Sequence, residues 1–154
     1  MTDVPARLAA LGLTLPEAPA PAANYLPYVV SGSHLWVSGQ ISRDASGLIC
    51  GRLGDGMGIE EGARAAQSCA LALLAQAGAA LGGDFGRIRR VVKLTGFVNS
   101  TPDFTDQPRV INGASDLMVA ALGEAGRHAR SAVGVAALPL GVAVEIEAVF
   151  EIAP

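Results

Sequence analysis

Arg130 and the carboxylates Glu145, Glu147 and Glu151 are the residues whose types and spacing could do chemistry. From Val142 to Ile152, the residues Val142, Val144, Ile146, Ala148, Phe150 and Ile152 alternate with Ala143, Glu145, Glu147, Val149 and Glu151. A period of two puts an apolar row on one face of a strand and three carboxylates on the other. Such a strand, one turn away from an arginine, is either a pocket wall or an ordinary half-exposed strand. Glu145 and Glu147 would lie about 7 Å apart on one face, and in a dry site two like charges that close favour protonation of one of them. Arg130 could equally be structural, pairing with Glu147 or Glu151 across strands. His128 stands two residues before Arg130, so an extended backbone would point both the same way. A plain loop histidine is the other reading. His34 reads as surface, and Trp36 and Phe97 read as core.

The composition limits what those residues can serve. A chain of 154 residues is long enough to bury about two-thirds of its unfolded surface as one domain. Its charged fraction is 16%, against about 25% in an average globular chain. So few charges leave apolar surface to be buried between subunits, and an oligomer is expected. The net charge of −3 argues against nucleic-acid binding, which draws on a basic patch to displace counterions. The apolar run 131–144 is too short and too broken by Pro139 and glycines to span a bilayer. The chain start shows no signal-peptide core, so a cytoplasmic protein is expected. Cys50 and Cys69 share no metal or redox spacing and read as two buried free thiols. The glycines of 47–58 do not form a phosphate-binding loop, so no nucleotide site follows.

Several elements must position the candidates. Asp3 and Pro5 start a short helix that Gly12 stops. Pro16, Pro19, Pro21 and Pro27 then enforce an extended arm, making residues 1–27 a helix and a proline-rich lead into a single domain over 1–154. Tyr28–Val30 and His34–Gly39 read as a hairpin around Ser31-Gly32-Ser33, and 42–58, with five glycines, reads as a loop. Ile59, Ala63, Ala66, Ala70, Leu73, Leu74, Ala77 and Leu81 recur at three and four residues, predicting a helix over 59–81. Residues 87–98 are strand-like. Asp106 and Pro108 open a second long helix to about Leu122. Two final strands follow, joined at Leu138-Pro139-Leu140-Gly141. With a tight turn there, Glu145 would lie opposite Gly134 and share a face with Arg130 about 13 Å away. That is too far for both to touch one small ligand atom within one subunit, unless a ligand and water span the gap, so the site could draw on two subunits. The order ββ-α-β-α-ββ gives an α+β fold, one mixed sheet with both helices on one face. The bare face would then meet a neighbouring subunit.

Several of these segments together resemble a known family. Val37-Ser38-Gly39-Gln40-Ile41, Gly96-Phe97-Val98-Asn99, Arg130-Ser131-Ala132-Val133, and Leu138-Pro139 with Val144-Glu145-Ile146-Glu147-Ala148 resemble the RidA/YjgF family, whose historical label is endoribonuclease L-PSP, from about Tyr25 to Phe150. Pro108 to Leu117 and Gly126-Arg127-His128-Ala129-Arg130 are similar to a longer, divergent subgroup. The resemblance implies a chorismate-mutase-like fold assembled as a homotrimeric barrel with clefts between subunits. It implies cofactor-free hydrolysis of reactive enamines or imines, such as 2-aminoacrylate, to 2-keto acids and ammonia. By the same resemblance Arg130 binds the substrate carboxylate, for which a guanidinium fork is suited, and Glu145 handles water or a proton. Ser38 and Gly39 border the cleft, where a backbone N–H can contact the ligand, and Asn112 lines it from a helix. Tyr28, with Tyr25 in competition, matches a pocket tyrosine. Ala132 stands where the family has a cysteine, so only its backbone can serve. The longer arm and the 42–58 segment could cover or reshape the cleft.

Three function classes follow: a deaminase using Arg130 and Glu145; a non-catalytic trimer that binds small carboxylates or regulates partners and would tolerate Glu145→Gln; and an endoribonuclease, which the acidic composition disfavours. A chorismate-mutase-type reaction would want several cationic groups around a dicarboxylate, and only Arg130 is in place. No cofactor or metal is implied, nor a nucleic-acid or membrane partner.

Overall fold

The computed structural model describes residues 3–21 and 23–154. Residues 1, 2 and 22, in the chain start read for a leader and in the proline-rich arm, lie outside it. The elements run α1 (Val4–Ala10), β1 (Tyr28–Ser31), β2 (His34–Ile41), β3 (Arg43–Asp44), β4 (Gly47–Leu48), β5 (Arg52–Leu53), β6 (Gly56–Met57), α2 (Ile59–Ala80), β7 (Ile88–Asn99), α3 (Gln107–Leu122), β8 (Ala129–Val135) and β9 (Val144–Ile152). α1 begins as its residues predict: the Asp3 carboxylate accepts from the Ala6 amide at 3.0 Å. Val4 and Leu8 are fully buried. The arm that follows is tied to α2, where the buried Gln76 donates to the Pro19 carbonyl at 2.6 Å.

Five strands form one sheet in the order β1-β2-β9-β7-β8. All neighbours are antiparallel except β7 and β8, which run parallel and are joined through α3. The even residues of β9, Val144 to Ile152, are buried in the core with α2 and α3. Trp36 lies on the other face, which neither helix covers, and is 53% exposed. It was expected in the core, but it alternates with buried Leu35 and Val37 and so points away from the helices. Phe97 shares that face between Glu145 and Val133 and is half-buried.

Three further expectations are corrected. The final strands are not a hairpin, because β7 lies between β8 and β9. The connection wraps the end of β7, where Asn99 donates its side-chain amide to the Val142 carbonyl at 3.2 Å and its backbone amide to Ala143 at 2.9 Å. Leu140, at φ 59°, and Gly141, at φ 73°, turn the chain there. The 42–58 segment is not a plain loop: it holds β3–β4 and β5–β6, with Leu53 fully buried. Two-residue strands are too short to show a period of two, and the glycines hid them. The Ser42 hydroxyl donates to the Ile49 carbonyl at 2.8 Å and accepts from the Val144 amide at 3.3 Å, fixing this segment to β9. Of the two thiols expected to be buried, Cys69 is, with burial pushing its thiol up, but Cys50 is exposed.

Candidate functional site

Arg130 sits opposite Leu94 on β7, which faces Ala148 on β9. Both neighbours belong to the core, so Arg130 projects on the helix side. There Nη1 donates to Asn112 Oδ1 at 2.8 Å and to Ser115 Oγ at 3.1 Å. Asn112 and Ser115 are three residues apart on α3 and therefore share a helix face. No carboxylate lies within ion-pair distance of Arg130 among the described residues. The expected alternative, a cross-strand pair with Glu147 or Glu151, fails because β7 intervenes and those carboxylates line the other face. Ser115 continues the chain of contacts: its hydroxyl lies 2.8 Å from His128 Nε2, and His128 Nδ1 lies 2.6 Å from the Gly126 carbonyl. His128 is thus more than a loop histidine. Ser115 had no individual signal beyond its spacing from Asn112.

Glu145 belongs to a second group on the bare face. It sits opposite Phe97, three residues along β7 from the position that Arg130 faces, and three is an odd number. Arg130 and Glu145 therefore project from opposite faces of the sheet. Their backbones stand about 14 Å apart, from two strand spacings across and three residues along. The expected shared face is overturned, because it assumed a direct β8–β9 pairing. Near Glu145, β2 carries a bulge between Val37 and Gln40 that holds Ser38 and Gly39. A Cβ on Gly39 would lie 3.0 Å from the Glu145 carboxyl carbon, so glycine lets the carboxyl rest against β2. The Ser38 hydroxyl donates to the Leu26 carbonyl at 2.7 Å, and its amide to Pro27 at 2.9 Å, so that amide is already engaged. Beside this group, Val29, Trp36, Ser38, Lys93, Thr95 and Glu147 line a cleft of about 420 Å³.

The remaining candidates are dispersed. Ala132, opposite Gly96, packs toward the helices. Tyr28, on the edge strand β1, pairs with Val37 of β2 and lies at the opposite edge of the sheet from Arg130, and Tyr25 is 49% exposed. A larger cavity, about 1030 Å³, lies between the arm, β3–β4 and α2. No predicted site residue lines it, so the arm and the glycine-rich segment close over α2 and not over Arg130.

Glu145 is held above its ordinary pKa, first by burial and then by the charge of Glu147. A folded state that binds this proton more tightly than the unfolded chain loses stability as pH rises from the ordinary value of 4.5 through the raised one. Glu145→Gln is therefore expected to raise stability at neutral pH and to flatten its dependence above that value. Urea unfolding of both proteins across the range checks this, and parallel curves would refute it.

Among the described residues no helix is long and apolar enough to cross a membrane. Residues 5–151 match the family described as "YjgF/chorismate_mutase-like, putative endoribonuclease". The chain is 54% identical over 151 residues to Protein TCP17 of Trypanosoma cruzi, covering 97% of this chain and 94% of that relative. It superposes on Atu1372 of Agrobacterium tumefaciens, a protein of unknown function, with a TM-score of 0.92 and 49% identity over 97% of this chain and 92% of that one. RidA from an Antarctic Psychrobacter matches at a TM-score of 0.54 and 28% identity, over 88% and 94% of the two chains. Sequence, strand order and these likenesses agree, and the chain belongs to the YjgF/chorismate mutase-like family.

Proposed function

We propose that the chain hydrolyses reactive enamine and imine intermediates, 2-aminoacrylate-like 2-imino acids, to 2-keto acids and ammonia without a cofactor, in a cleft between copies of a homotrimer. The observation that carries this reading is Arg130: a half-buried guanidinium that, among the described residues, is oriented only by the neutral Asn112 and Ser115. Its charge and remaining N–H groups are left for an anion, and the fork suits a carboxylate. The reaction then needs a water and a proton. Water adds to C2 of the protonated imine and loses a proton; the nitrogen gains one; the C–N bond breaks as C=O forms, and ammonia leaves with the hydroxyl hydrogen. Glu145, which holds its proton tightly for a carboxylate, is suited to the water.

Support for a composite site comes from Tyr28 and Arg130 lying at opposite edges of one sheet, with Glu145 on the face away from Arg130. One copy could not gather all three, whereas copies that pack their bare faces together, around Trp36, Val29 and Val133, and set the β8 edge of one sheet beside the β1 edge of the next could. The test is ammonia and keto-acid release from freshly generated 2-aminoacrylate and bulkier 2-imino acids. Release no faster than in buffer across the panel, from a folded protein, would reject the deaminase and favour a carboxylate-binding trimer. The endoribonuclease description carried by the family favours a second assay, on RNA, although a net charge of −3 speaks against that substrate.

A further inference from the structure

The reading above uses Ser115 only to orient Arg130 and leaves His128 without a role, yet both stand directly behind Arg130. The Gly126 carbonyl can only accept, so His128 Nδ1 carries the hydrogen of the 2.6 Å contact. In the neutral ring Nε2 is then an acceptor, and the Ser115 hydroxyl, 2.8 Å away, donates to it. Arg130 donates to the same hydroxyl oxygen at 3.1 Å, stabilising any negative charge that develops there. A hydroxyl, a base within reach and a third group fixing the base is the arrangement that activates a hydroxyl for proton transfer. The anchor is rigid, because Gly126 packs against the Met118 carbonyl so closely that a Cβ would collide with it. The neighbouring charges do not compete: Glu124 and Arg127 pair with each other at 3.0 Å.

We propose that Ser115, backed by His128, is the proton carrier for the substrate that Arg130 holds, with Glu145 only orienting the water through its other hydrogen. This rests on the deaminase reading. Within one copy Glu145 lies on the opposite face from Arg130, so it reaches the water only from a neighbouring copy, whereas Ser115 touches the anchoring guanidinium. As water adds to C2 of the protonated imine, its proton passes to Ser115 Oγ while the Ser115 hydrogen passes to His128 Nε2. The carbinolamine nitrogen then takes a proton back from Ser115, which is reprotonated by His128. C–N cleavage then forms the C=O bond, ammonia takes the hydroxyl hydrogen and leaves as ammonium, and both side chains return to their starting states. Ser115 is the group that touches substrate; His128 acts through it.

The test is steady-state hydrolysis of 2-aminoacrylate by wild type, Ser115→Ala, Ser115→Thr, His128→Ala and His128→Gln, each checked for folding by circular dichroism. General acid–base groups contribute about 10²–10⁴-fold, so Ser115→Ala and both His128 variants are expected to lose about 100-fold or more in kcat. KM should change little, because Asn112 still holds Arg130. Ser115→Thr keeps the hydroxyl and most of the rate, which covers the case in which alanine disturbs α3. Added imidazole should restore His128→Ala in proportion to its concentration. Raised KM with kcat retained, or no response to imidazole, would reduce the pair to a support for Arg130 and overturn the proposal while leaving the deaminase intact. A wild type that does not accelerate hydrolysis overturns both.

Discussion

Arg130→Ala is expected to lower kcat/KM for 2-imino acid hydrolysis by about 10- to 150-fold, the equivalent of about 1.5–3 kcal/mol for a lost charge-assisted contact. The effect should fall on every substrate bearing a carboxylate beside the imine, whatever its side chain, because the guanidinium meets the part they share. Stability should change little. Arg130 is only half-buried, and water can replace it at Asn112, which is exposed. Arg130→Lys should recover only part of the activity, since an ammonium keeps the charge but cannot present two parallel N–H groups to a carboxylate while also holding Asn112 and Ser115. The comparison with Glu145→Gln separates anchor from chemistry: Arg130→Ala should raise the concentration of a stable 2-keto acid needed for half-saturation, whereas Glu145→Gln should leave that concentration unchanged. Equal hydrolysis by Arg130→Ala and wild type would remove the arginine from the mechanism.

What was legible in the sequence depended on whether a residue's environment is set locally. The stripe from Ile59 to Leu81 marks α2 because a helix face is a property of spacing alone, and the alternation of β9 likewise separates core from bare face. Neither says which strand lies alongside. The short Leu138–Gly141 turn suggested a hairpin, but β8 runs parallel to β7 and the chain crosses the end of that strand to place β9 on its far side. This single error of neighbour moved Glu145 from Arg130's face to the opposite one. Trp36 shows the same limit: a large aromatic reads as core unless its alternation with Leu35 and Val37 is given precedence. The Ser115–His128 contact joins a helix residue to a loop residue, and only the β7–α3–β8 crossover brings them within hydrogen-bond reach. Resemblance named Arg130 and Asn112 as site residues, but the support behind them is set by how α3 packs on β8.

Gly113→Ala tests the packing that holds this site, and its sign is informative. Helix propensity alone favours alanine over glycine inside a helix by about 1 kcal/mol, so an isolated α3 would be stabilised. In the folded chain a Cβ at Gly113 would meet the backbone carbonyl of Ala63 on α2. The obstacle is main chain, not the flexible end of a side chain, so no rotamer change relieves it and no substitution at residue 63 can remove it. The two helices must separate locally, disturbing a contact where Gly62 also approaches Leu53 and Val110. Overpacking of this kind costs about 1–3 kcal/mol, and a rigid backbone obstacle should place the net loss near 2 kcal/mol even after the propensity gain. For a chain of this size that is a fall in Tm of about 4–8 °C. Because Asn112 and Ser115 flank Gly113 on α3, the same displacement should loosen Arg130 and raise KM, so stability and substrate binding should decline together. A Gly113→Ala protein with raised Tm and unchanged KM would show that α2 and α3 do not approach at this point.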